Sequence, residues 1–355
     1  MEKSRYKILG VMSGTSLDGI DLAECQLAYS DESGWSYNLG VANTIPYPAE
    51  WKSRLSDAVN FSEGRLRTLN ENYTRYLSNV ISEFINRNKI AGLDAICSHG
   101  HTILHQPQKG ITLQIGNLPE IATYVNETVV CDFRVQDVEL GGQGAPLVPI
   151  GDRLLFSHYD YCLNLGGFAN ISSEGEHGRI AYDICPVNIV LNHYSEKLGK
   201  PYDEGGRIAA SGVVNEKLLQ QLNDLQYYRT DPPKSLGLEW VTREVFPVIN
   251  NMGILGKDII ATFTEHIAVQ LAAQFQKGAK VLITGGGAYN DHLIERLKFH
   301  RQVMIELPSQ KIIEYKEALV FALLGVLKLR NEVNCLSSVT GARNDHSGGV
   351  IYSKK

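Results

Sequence analysis

Two similar strand–turn–strand segments, spaced about 150 residues apart, are the feature that most constrains the fold of this chain. In the first, an apolar run at residues 6–12 leads through small residues at 13–19 to a second apolar run at 20–28. In the second, runs at 161–165 and 168–172 flank Gly166 and Gly167. Short apolar runs joined by such turns predict β-hairpins. We therefore expect two related domains, with the functional site in the cleft between them.

Helical patterns alternate with further strands in both halves. Apolar residues recur every three or four positions at 66–86 and 258–277, which predicts amphipathic helices, and helices are also expected at 213–225 and 314–330. Predicted strands lie at 93–97, 111–115, 128–132, 179–184 and from residue 280. This alternation indicates an α/β fold. Because a glycine-rich stretch at 141–146 interrupts the pattern, we predict domains at 1–135 and 136–355, with the C-terminal tail packing back on the first domain.

Charge and cysteine usage exclude several classes of protein. The 355 residues include 34 Lys plus Arg and 39 Asp plus Glu, so the net charge of −5 argues against a nucleic-acid partner. Six cysteines without C-x-x-C spacing indicate reduced thiols in a cytoplasmic protein. The apolar run at 318–327 is shorter than the ~20 residues that span a membrane, and the N-terminal apolar stretch is too short for a signal peptide. We therefore expect no membrane partner.

The first hairpin turn has the residue types that phosphate chemistry requires. Its candidate ATP- and phosphate-binding residues are Gly14, Thr15, Ser16, Leu17, Asp18, Gly19, Ile20 and Asp21. Glycine lets the backbone approach an anion closely. Since Mg²⁺ takes only one or two protein carboxylates, Asp18 or Asp21 would suffice as its ligand, directly or through water. The alternative is a tight hairpin in which Asp serves only as a turn former.

Two further small-residue turns lie in the second half. Asn164, Gly166 and Gly167 form a second candidate phosphate hairpin, and Gly285, Gly286 and Gly287 follow an apolar strand. A dinucleotide fingerprint would have a third glycine where this chain has Asn290. The glycine triplet therefore favours adenosine over NAD as its ligand, and a dehydrogenase is a distant alternative.

Two acidic residues are candidates for catalysis. Asp183 closes a short predicted strand, so we expect its carboxylate at the carboxyl end of that strand, near a cleft. There it would serve as a base, cap a helix, or pair with Arg179 or Arg207. Glu317 precedes the apolar run of the last predicted helix, where a lone acid often only complements the helix dipole.

Three histidines lie within seven residues at positions 99, 101 and 105. A zinc site is conceivable, but no nearby Cys, Asp or Glu completes a ligand set. We expect these imidazoles to bind substrate or backbone. The chain also lacks the G-x-S-x-G turn of serine hydrolases.

Motifs along almost the whole chain resemble those of the anhydro-N-acetylmuramic acid kinases, a family of the acetate and sugar kinase, chaperone ATPase and actin superfamily. The matching segments are GVMSGTSLDGID at 10–21, SHG at 98–100, DFR at 132–134, GQGAPLVP at 142–149, NLGG at 164–167, PKS at 233–235, TGGG at 284–287 and VTGA at 339–342.

The resemblance implies two ribonuclease-H-like domains (the actin-like ATPase fold) that use ATP with Mg²⁺. It implies that water opens a 1,6-anhydro bond while the sugar O6 takes the γ-phosphoryl group, giving N-acetylmuramate 6-phosphate and ADP in murein recycling. By the same resemblance Asp183 aligns with the general base and Glu317 with its supporting glutamate. We also expect substrate contacts from His99, His101, Gln143 and Asn188. The chain is expected to be either a monomer or a homodimer.

The chain departs from the family pattern beside the expected base. Residues 184–188 read ICPVN where the family usually has TGPGN, and His101 stands where Gln is more frequent. Positions this close to the base would touch the sugar. Two alternatives therefore stay open, a kinase of the same fold for another sugar and a non-catalytic ATP-binding module.

Overall fold

The computed structural model describes residues 3–14 and 16–354. The chain forms two compact units. Unit 1 contains the residues up to Leu155 together with those from Tyr315 onward, and unit 2 is Phe156–Glu314.

The sheet of unit 1 has seven strands. They are β1 (Arg5–Ser13), β2 (Gly19–Ser30), β3 (Gly34–Pro46), β4 (Ala95–Gln106), β5 (Ile111–Ile115), β6 (Val129–Cys131) and β12 (Val350–Tyr352). The order is β12-β6-β4-β1-β2-β3, with β5 paired to β4. β1 is antiparallel to β2 and parallel to β4. A central strand with this pairing is covered on both faces, which is why β1 is almost continuously buried.

The helices of unit 1 include the longest of the chain. They are α1 (Ala49–Asp57), α2 (Glu63–Arg87), α3 (Glu120–Val125), α4 (Val135–Glu139), α5 (Pro149–Leu155), most of α13 (Gln310–Leu329) and α14 (Ser337–Thr340). α2 buries one face, including Tyr73, Leu77 and Ile81, in the core against the sheet. The backbone of α13 passes close to β1 at Gly10, where an added Cβ would lie 2.1 Å from the carbonyl oxygen of Ala318.

The sheet of unit 2 repeats the central arrangement of the first. Its strands are β7 (Tyr161–Leu165), β8 (Phe168–Gly175), β9 (Gly178–Pro186), β10 (Lys280–Thr284) and β11 (Met304–Glu306). The order is β11-β10-β7-β8-β9, with β7 antiparallel to β8 and parallel to β10. In both units the first strand is therefore central, the second is antiparallel to it, and the fourth lies parallel on its other side.

The helices of unit 2 follow β9 and β10. They are α6 (Asn188–Lys197), α7 (Arg207–Ser211), α8 (Glu216–Asn223), α9 (Leu238–Trp240), α10 (Phe246–Asn250), α11 (Gly256–Ala272) and α12 (Asp291–His300). α11 is buried over most of its length and packs in one core with β7, β8 and β10. The side chain of Asn290 caps α12 by accepting a hydrogen bond from the backbone N–H of Leu293 at 3.0 Å.

The predicted α/β class with two ribonuclease-H-like sheets is confirmed by this shared strand order. The units differ from the predicted ranges 1–135 and 136–355, because residues 136–155 and those from 315 onward belong to unit 1. The cause is packing within unit 1, where Lys316 on α13 forms a buried ion pair of 2.7 Å with Asp152 on α5. The long strand β3 was not predicted, although Trp35, Tyr37, Leu39 and Val41 alternate with small or polar residues along it.

All six cysteines are buried and none forms a disulfide. Within residues 3–14 and 16–354, no helix combines the length and apolar character needed to cross a membrane.

Candidate functional site

The first hairpin turn connects β1 to β2. Ser16 and Asp18 are exposed there, and Leu17 adopts a positive φ of 60°. Asp21 is partly buried at the start of β2, where its Oδ1 accepts a hydrogen bond of 2.6 Å from Thr44 Oγ1. Gly14 and Ile20 flank the same turn, and Thr15 lies outside the described residues. The hairpin therefore presents polar groups to solvent on a rigid strand pair.

The base of this hairpin is fixed by a buried chain of hydroxyl groups. Ser13 Oγ lies 2.6 Å from Tyr47 Oη and 2.8 Å from His101 Nδ1. The hydroxyl of Tyr47 also hydrogen-bonds that of Tyr73. Burial lowers the pKa of His101 to about 4, so this imidazole is neutral at pH 7. At 2% exposure, His101 supports the hairpin from below rather than presenting its ring to solvent.

Glu317 lies near Arg134, which in turn is hydrogen-bonded to His99. The Glu317 side chain retains solvent exposure, yet loss of water around its carboxyl raises its pKa, an effect opposed by the charge of Arg134. Arg134 Nε donates to His99 Nε2 at 2.8 Å, and His99 Nδ1 lies 2.9 Å from the carbonyl oxygen of Gly100. Because both ring nitrogens of His99 are engaged and burial lowers its pKa well below the usual value, His99 is a neutral support for Arg134.

α13 begins at Gln310, so Glu317 lies two turns inside the helix and not in its first turn. A dipole effect fades beyond the first turn, which removes the structural alternative considered for this residue.

The loop after α4 brings Gln143 near the same group. Gln143 is exposed, and its backbone N–H donates to the carbonyl oxygen of Thr340 at 2.8 Å. Arg134 Nη1 donates to the carbonyl oxygen of Gly144 at 2.6 Å, while the N–H of Gly144 donates to Asp137 Oδ2 at 2.7 Å. The loop is therefore held from both sides, and the side chain of Gln143 is left accessible.

In unit 2 the second hairpin and the glycine triplet are in contact. Gly285 has a φ of 82°, and an added Cβ would lie 2.6 Å from Asn164 Oδ1. A Cβ at Gly287 would lie 2.7 Å from Leu165 Cβ, so both glycines are required for this approach of backbones. Gly286 joins them in the triplet. The structure thus brings together the predicted phosphate hairpin and the predicted adenosine turn.

The start of α6 closes over the same hairpin. The carbonyl oxygen of Gly167 accepts from the N–H groups of Val187 at 2.8 Å and Ile189 at 3.3 Å. The backbone N–H of Asn188 donates to the carbonyl oxygen of Gly166, and its side-chain Nδ2 donates to that of Leu165, both at 3.3 Å. Asn188 thus contacts the hairpin, and its predicted contact with a sugar stays a prediction.

Asp183 lies on β9, directly opposite Asn170 of the neighbouring strand β8. Its Oδ1 accepts from Asn170 Nδ2 at 3.3 Å, and its Oδ2 accepts from the backbone N–H of Leu236 at 2.8 Å. Asn164 Nδ2 in turn donates to Asn170 Oδ1 at 3.2 Å. A chain of amides therefore connects the second phosphate hairpin to this carboxylate.

Burial raises the pKa of Asp183, while the hydrogen bonds from Leu236 and Asn170 hold it down. The residue is not at the carboxyl end of its strand as expected, because β9 continues to Pro186. The arginines considered as partners bind elsewhere, Arg179 to Glu174 and Arg207 to Glu204. Each oxygen of Asp183 accepts one hydrogen bond, from Asn170 or from Leu236. Because an ionised carboxylate has about four acceptor sites, it can accept further hydrogen bonds from a reactant.

Residues 184–187, which depart from the family pattern, are all buried, and Ile184, Cys185 and Val187 belong to the core of unit 2. The expectation that these side chains would touch the sugar is therefore wrong. They pack inward because the chain turns from β9 directly into α6.

Several residues of the site had no role assigned from the sequence. Arg134 lies inside the recognised DFR segment, Asn170 lies in the run 168–172 of the second predicted hairpin, and Leu236 follows the recognised PKS segment. For Asn170 the available signal was the pairing of the consecutive strands β8 and β9, which places Asn170 opposite Asp183. For Arg134 and Leu236 no local signal exists, because their partners are 35 and 53 residues away.

A family model and the sequence relatives reported below point to one family. The family model described as anhydro-N-acetylmuramic acid kinase matches residues 6–354. A protein of that name from Variovorax paradoxus is 35% identical, with 97% of this chain and 98% of the relative covered. One from Sulfurimonas denitrificans is 33% identical, again with 97% and 98% covered. One from Bacillus cereus is 32% identical, with 95% and 94% covered.

Proposed function

The chain belongs to the anhydro-N-acetylmuramic acid kinase family and is a sugar kinase of murein recycling, and we propose that Asp183 is its general base and Glu317 its second catalytic carboxylate. The observation that carries the proposal is the environment of Asp183. Its carboxylate has a raised pKa, is held by two donors, and is linked through Asn170 to the second phosphate hairpin.

The proposed substrate dictates the reaction sequence. In a 1,6-anhydro sugar O6 is bonded to C1, so no free hydroxyl is available at position 6. Water attacks C1 and gives its proton to the Asp183 carboxylate, the C1–O6 bond breaks, and its electron pair stays on O6. O6 then forms a bond to the γ-phosphorus of ATP, and ADP leaves with the electron pair of the broken P–O bond. The products are N-acetylmuramate 6-phosphate, ADP and one proton.

A raised pKa suits Asp183 for this step. Proton transfer by a general base is most efficient when its pKa lies near the working pH, and partial burial moves a carboxyl in that direction. The proposed role of Glu317 is to stabilise the positive charge that develops at C1 as the bond to O6 breaks. Carboxylates have this role in glycoside hydrolysis. The charge of Arg134 favours the ionised form of Glu317 and so opposes the rise in pKa that loss of water causes.

The phosphates of ATP are assigned to the two hairpins. Residues 14–21 are one candidate phosphate-binding segment, and Asn164, Gly166 and Gly167 are a second; the glycine triplet at 285–287 would lie against the adenosine. Phosphoryl transfer depends mainly on positioning and charge neutralisation, which hairpin backbone and polar side chains supply. Gln143, which is exposed, and Asn188 are proposed to contact the sugar. From within β4, His99 would support Arg134 and His101 would support the first hairpin through Ser13.

The donor set of the first hairpin fits hydrated Mg²⁺. Asp18 is exposed at the turn, and Asp21 lies at the start of β2 with one oxygen bonded to Thr44. Mg²⁺ keeps several waters and needs only one or two carboxylates, so Asp18 and Asp21 would hold it directly or through water. When bound, the ion neutralises charge on the transferring phosphates.

The test is product formation from ATP, Mg²⁺ and 1,6-anhydro-N-acetylmuramic acid carrying ¹⁸O at O6. Mass spectrometry of the product is expected to show the label in the bridging oxygen of the 6-phosphate ester. Asp183→Asn is expected to lower kcat by about 10²–10⁴-fold, the usual value of a general base. Asp224→Asn, at an exposed aspartate of the same unit paired with Arg229, is the matched control and should keep the activity. Absence of a phosphorylated product, or equal rates for the two variants, would refute the proposal.

A further inference from the structure

Asp137, Cys335 and His346 form a buried cluster in unit 1 to which the reaction above gives no role. Each offers one potential metal-ligating atom, and the three atoms lie within 4.8 Å of one another. Asp137 lies on α4, Cys335 follows α13, and His346 lies in the segment before β12. The cluster therefore joins three separate stretches of the chain.

The orientation of His346 points to a cation. Its Nδ1 lies 3.2 Å from the carbonyl oxygen of Asn344, and because a carbonyl only accepts, the proton of a neutral ring is on Nδ1. Nε2 then carries a lone pair and has no hydrogen-bond partner among residues 3–14 and 16–354. It lies 3.6 Å from Asp137 Oδ1, and the residue is 6% exposed. Two acceptors facing each other away from water are unfavourable unless a positive charge lies between them.

The spacing suits zinc coordination. Zinc bonds to nitrogen and oxygen are about 2.0–2.2 Å long, which places two ligands of a tetrahedral site about 3.4 Å apart. The distance of 3.6 Å between His346 Nε2 and Asp137 Oδ1 is close to that separation. A ligating histidine usually donates its other ring N–H to a carbonyl or carboxylate, as His346 does to Asn344.

The hydrogen bonds of Asp137 are compatible with this role. Thr340 Oγ1 donates to its Oδ1 and the N–H of Gly144 to its Oδ2, both at 2.7 Å. Since each carboxylate oxygen has two lone pairs, Oδ1 keeps one for a metal. The two donors orient the carboxylate, as outer partners do in metal sites.

We propose that Asp137, Cys335 and His346 bind a divalent transition metal of the zinc type, which fastens the C-terminal segment of the chain to the loop that carries Gln143. Coordination releases the thiol proton of Cys335 to solvent. The fourth position of the tetrahedron falls to water, as in other sites with three protein ligands. The ion links α4, the segment after α13 and the tail within one unit.

The experiment uses the full chain, stripped of metal by dialysis and titrated with Co²⁺ and then Zn²⁺. The expected result is a cobalt–thiolate charge-transfer band that saturates near one equivalent and disappears when Zn²⁺ is added. In competition with a chromophoric chelator, Cys335→Ser and His346→Gln should each weaken zinc binding by at least about 10-fold, the lower limit seen even for outer-sphere partners. Cys25→Ser, at another buried thiol of unit 1, is the matched control and should keep both the band and the affinity.

A wild-type spectrum without the thiolate band would overturn the proposal, and this measurement does not depend on any variant folding. Zinc binding that is unchanged in Cys335→Ser would overturn it as well, because the metal would then lie elsewhere. Thermal unfolding gives a second readout. Zn²⁺ should raise the unfolding midpoint of the wild type and of Cys25→Ser, and a rise of equal size in His346→Gln would contradict the site.

Discussion

Replacing Asn170 by alanine should distinguish two contributions of Asp183 to kcat, the pKa of its carboxyl and the position of its carboxylate. The substitution removes the donor that lies 3.3 Å from Asp183 Oδ1 and the acceptor for Asn164 Nδ2. The hydrogen bond from Asn170 lowers the pKa of Asp183, so its loss should raise that pKa further above the ordinary value.

The free energy of this hydrogen bond follows from its length and from the exposure of Asn170. A hydrogen bond to a charged group contributes about 1.5–3 kcal/mol, but this one is long and Asn170 is exposed, so about 1 kcal/mol is reasonable. Loss of this donor therefore raises the pKa of Asp183 further. The base is active as the carboxylate, which is lost as pH falls through its pKa. The acidic limb of the kcat profile should therefore move to higher pH.

The assay is kcat against pH from 5 to 9, with ADP release measured by a coupled enzyme. Any reduction of kcat that persists well above the shifted pKa measures lost positioning of the carboxylate. Asn250→Ala is the control, because Asn250 accepts a bond from Tyr194 and lies outside the proposed site. An acidic limb that stays in place in Asn170→Ala, or one that moves downward, would refute the proposed role of Asp183.

Three further substitutions test other parts of the molecule. Glu317→Gln should lower kcat by about 10²-fold or more while ATP binding, measured by calorimetry, is retained. Gly10→Ala should lower the unfolding free energy by about 1–3 kcal/mol, because its Cβ would lie 2.1 Å from the carbonyl oxygen of Ala318; thermal denaturation measures this. Tyr47→Phe should cost about 1–3 kcal/mol in urea unfolding, because Ser13 and Tyr73 lose a buried hydrogen-bond partner.

Matched variants define the specificity of these effects. Glu83→Gln, at an exposed glutamate of α2, should keep full activity, and equal losses in Glu83→Gln and Glu317→Gln would remove the special role of Glu317. Gly64→Ala has open space around its Cβ in the same helix and should leave stability unchanged or slightly raised. A Gly10→Ala variant as stable as Gly64→Ala would show that the close approach of α13 to β1 is not required.

Local features of the fold were predicted from the sequence, whereas non-local ones were not. The strand Tyr161–Leu165 and the helix Glu63–Arg87 were predicted within a few residues, since their apolar periodicity and flanking turns are contained in the segment itself. The start of α13 was placed at residue 314, although the helix begins at Gln310 and its first turn contains the buried Ile312 and Ile313. The boundary between the units depends on contacts such as Lys316 with Asp152, which no local pattern records.

The candidate site shows the same division. Turn chemistry and family resemblance proposed Gly166, Gly167 and Asp183 as site residues, but they did not indicate the donors that hold the carboxylate. Asn170 reaches Asp183 through strand pairing, and Leu236 reaches it from a loop 53 residues later. Sequence motifs thus identify residue types, and the hydrogen-bonded neighbours that adjust their pKa values come from the folded chain.

A crystal structure of the chain with a non-hydrolysable ATP analogue, Mg²⁺ and 1,6-anhydro-N-acetylmuramic acid tests the assignment of Asp183 most directly. We predict a water within about 2.6–3.2 Å of an oxygen of Asp183 and facing C1 of the sugar, with the phosphates bound at Gly166 and Gly167. A sugar whose C1 lies beyond the reach of any water held by Asp183, or a triphosphate bound away from that hairpin, would contradict it.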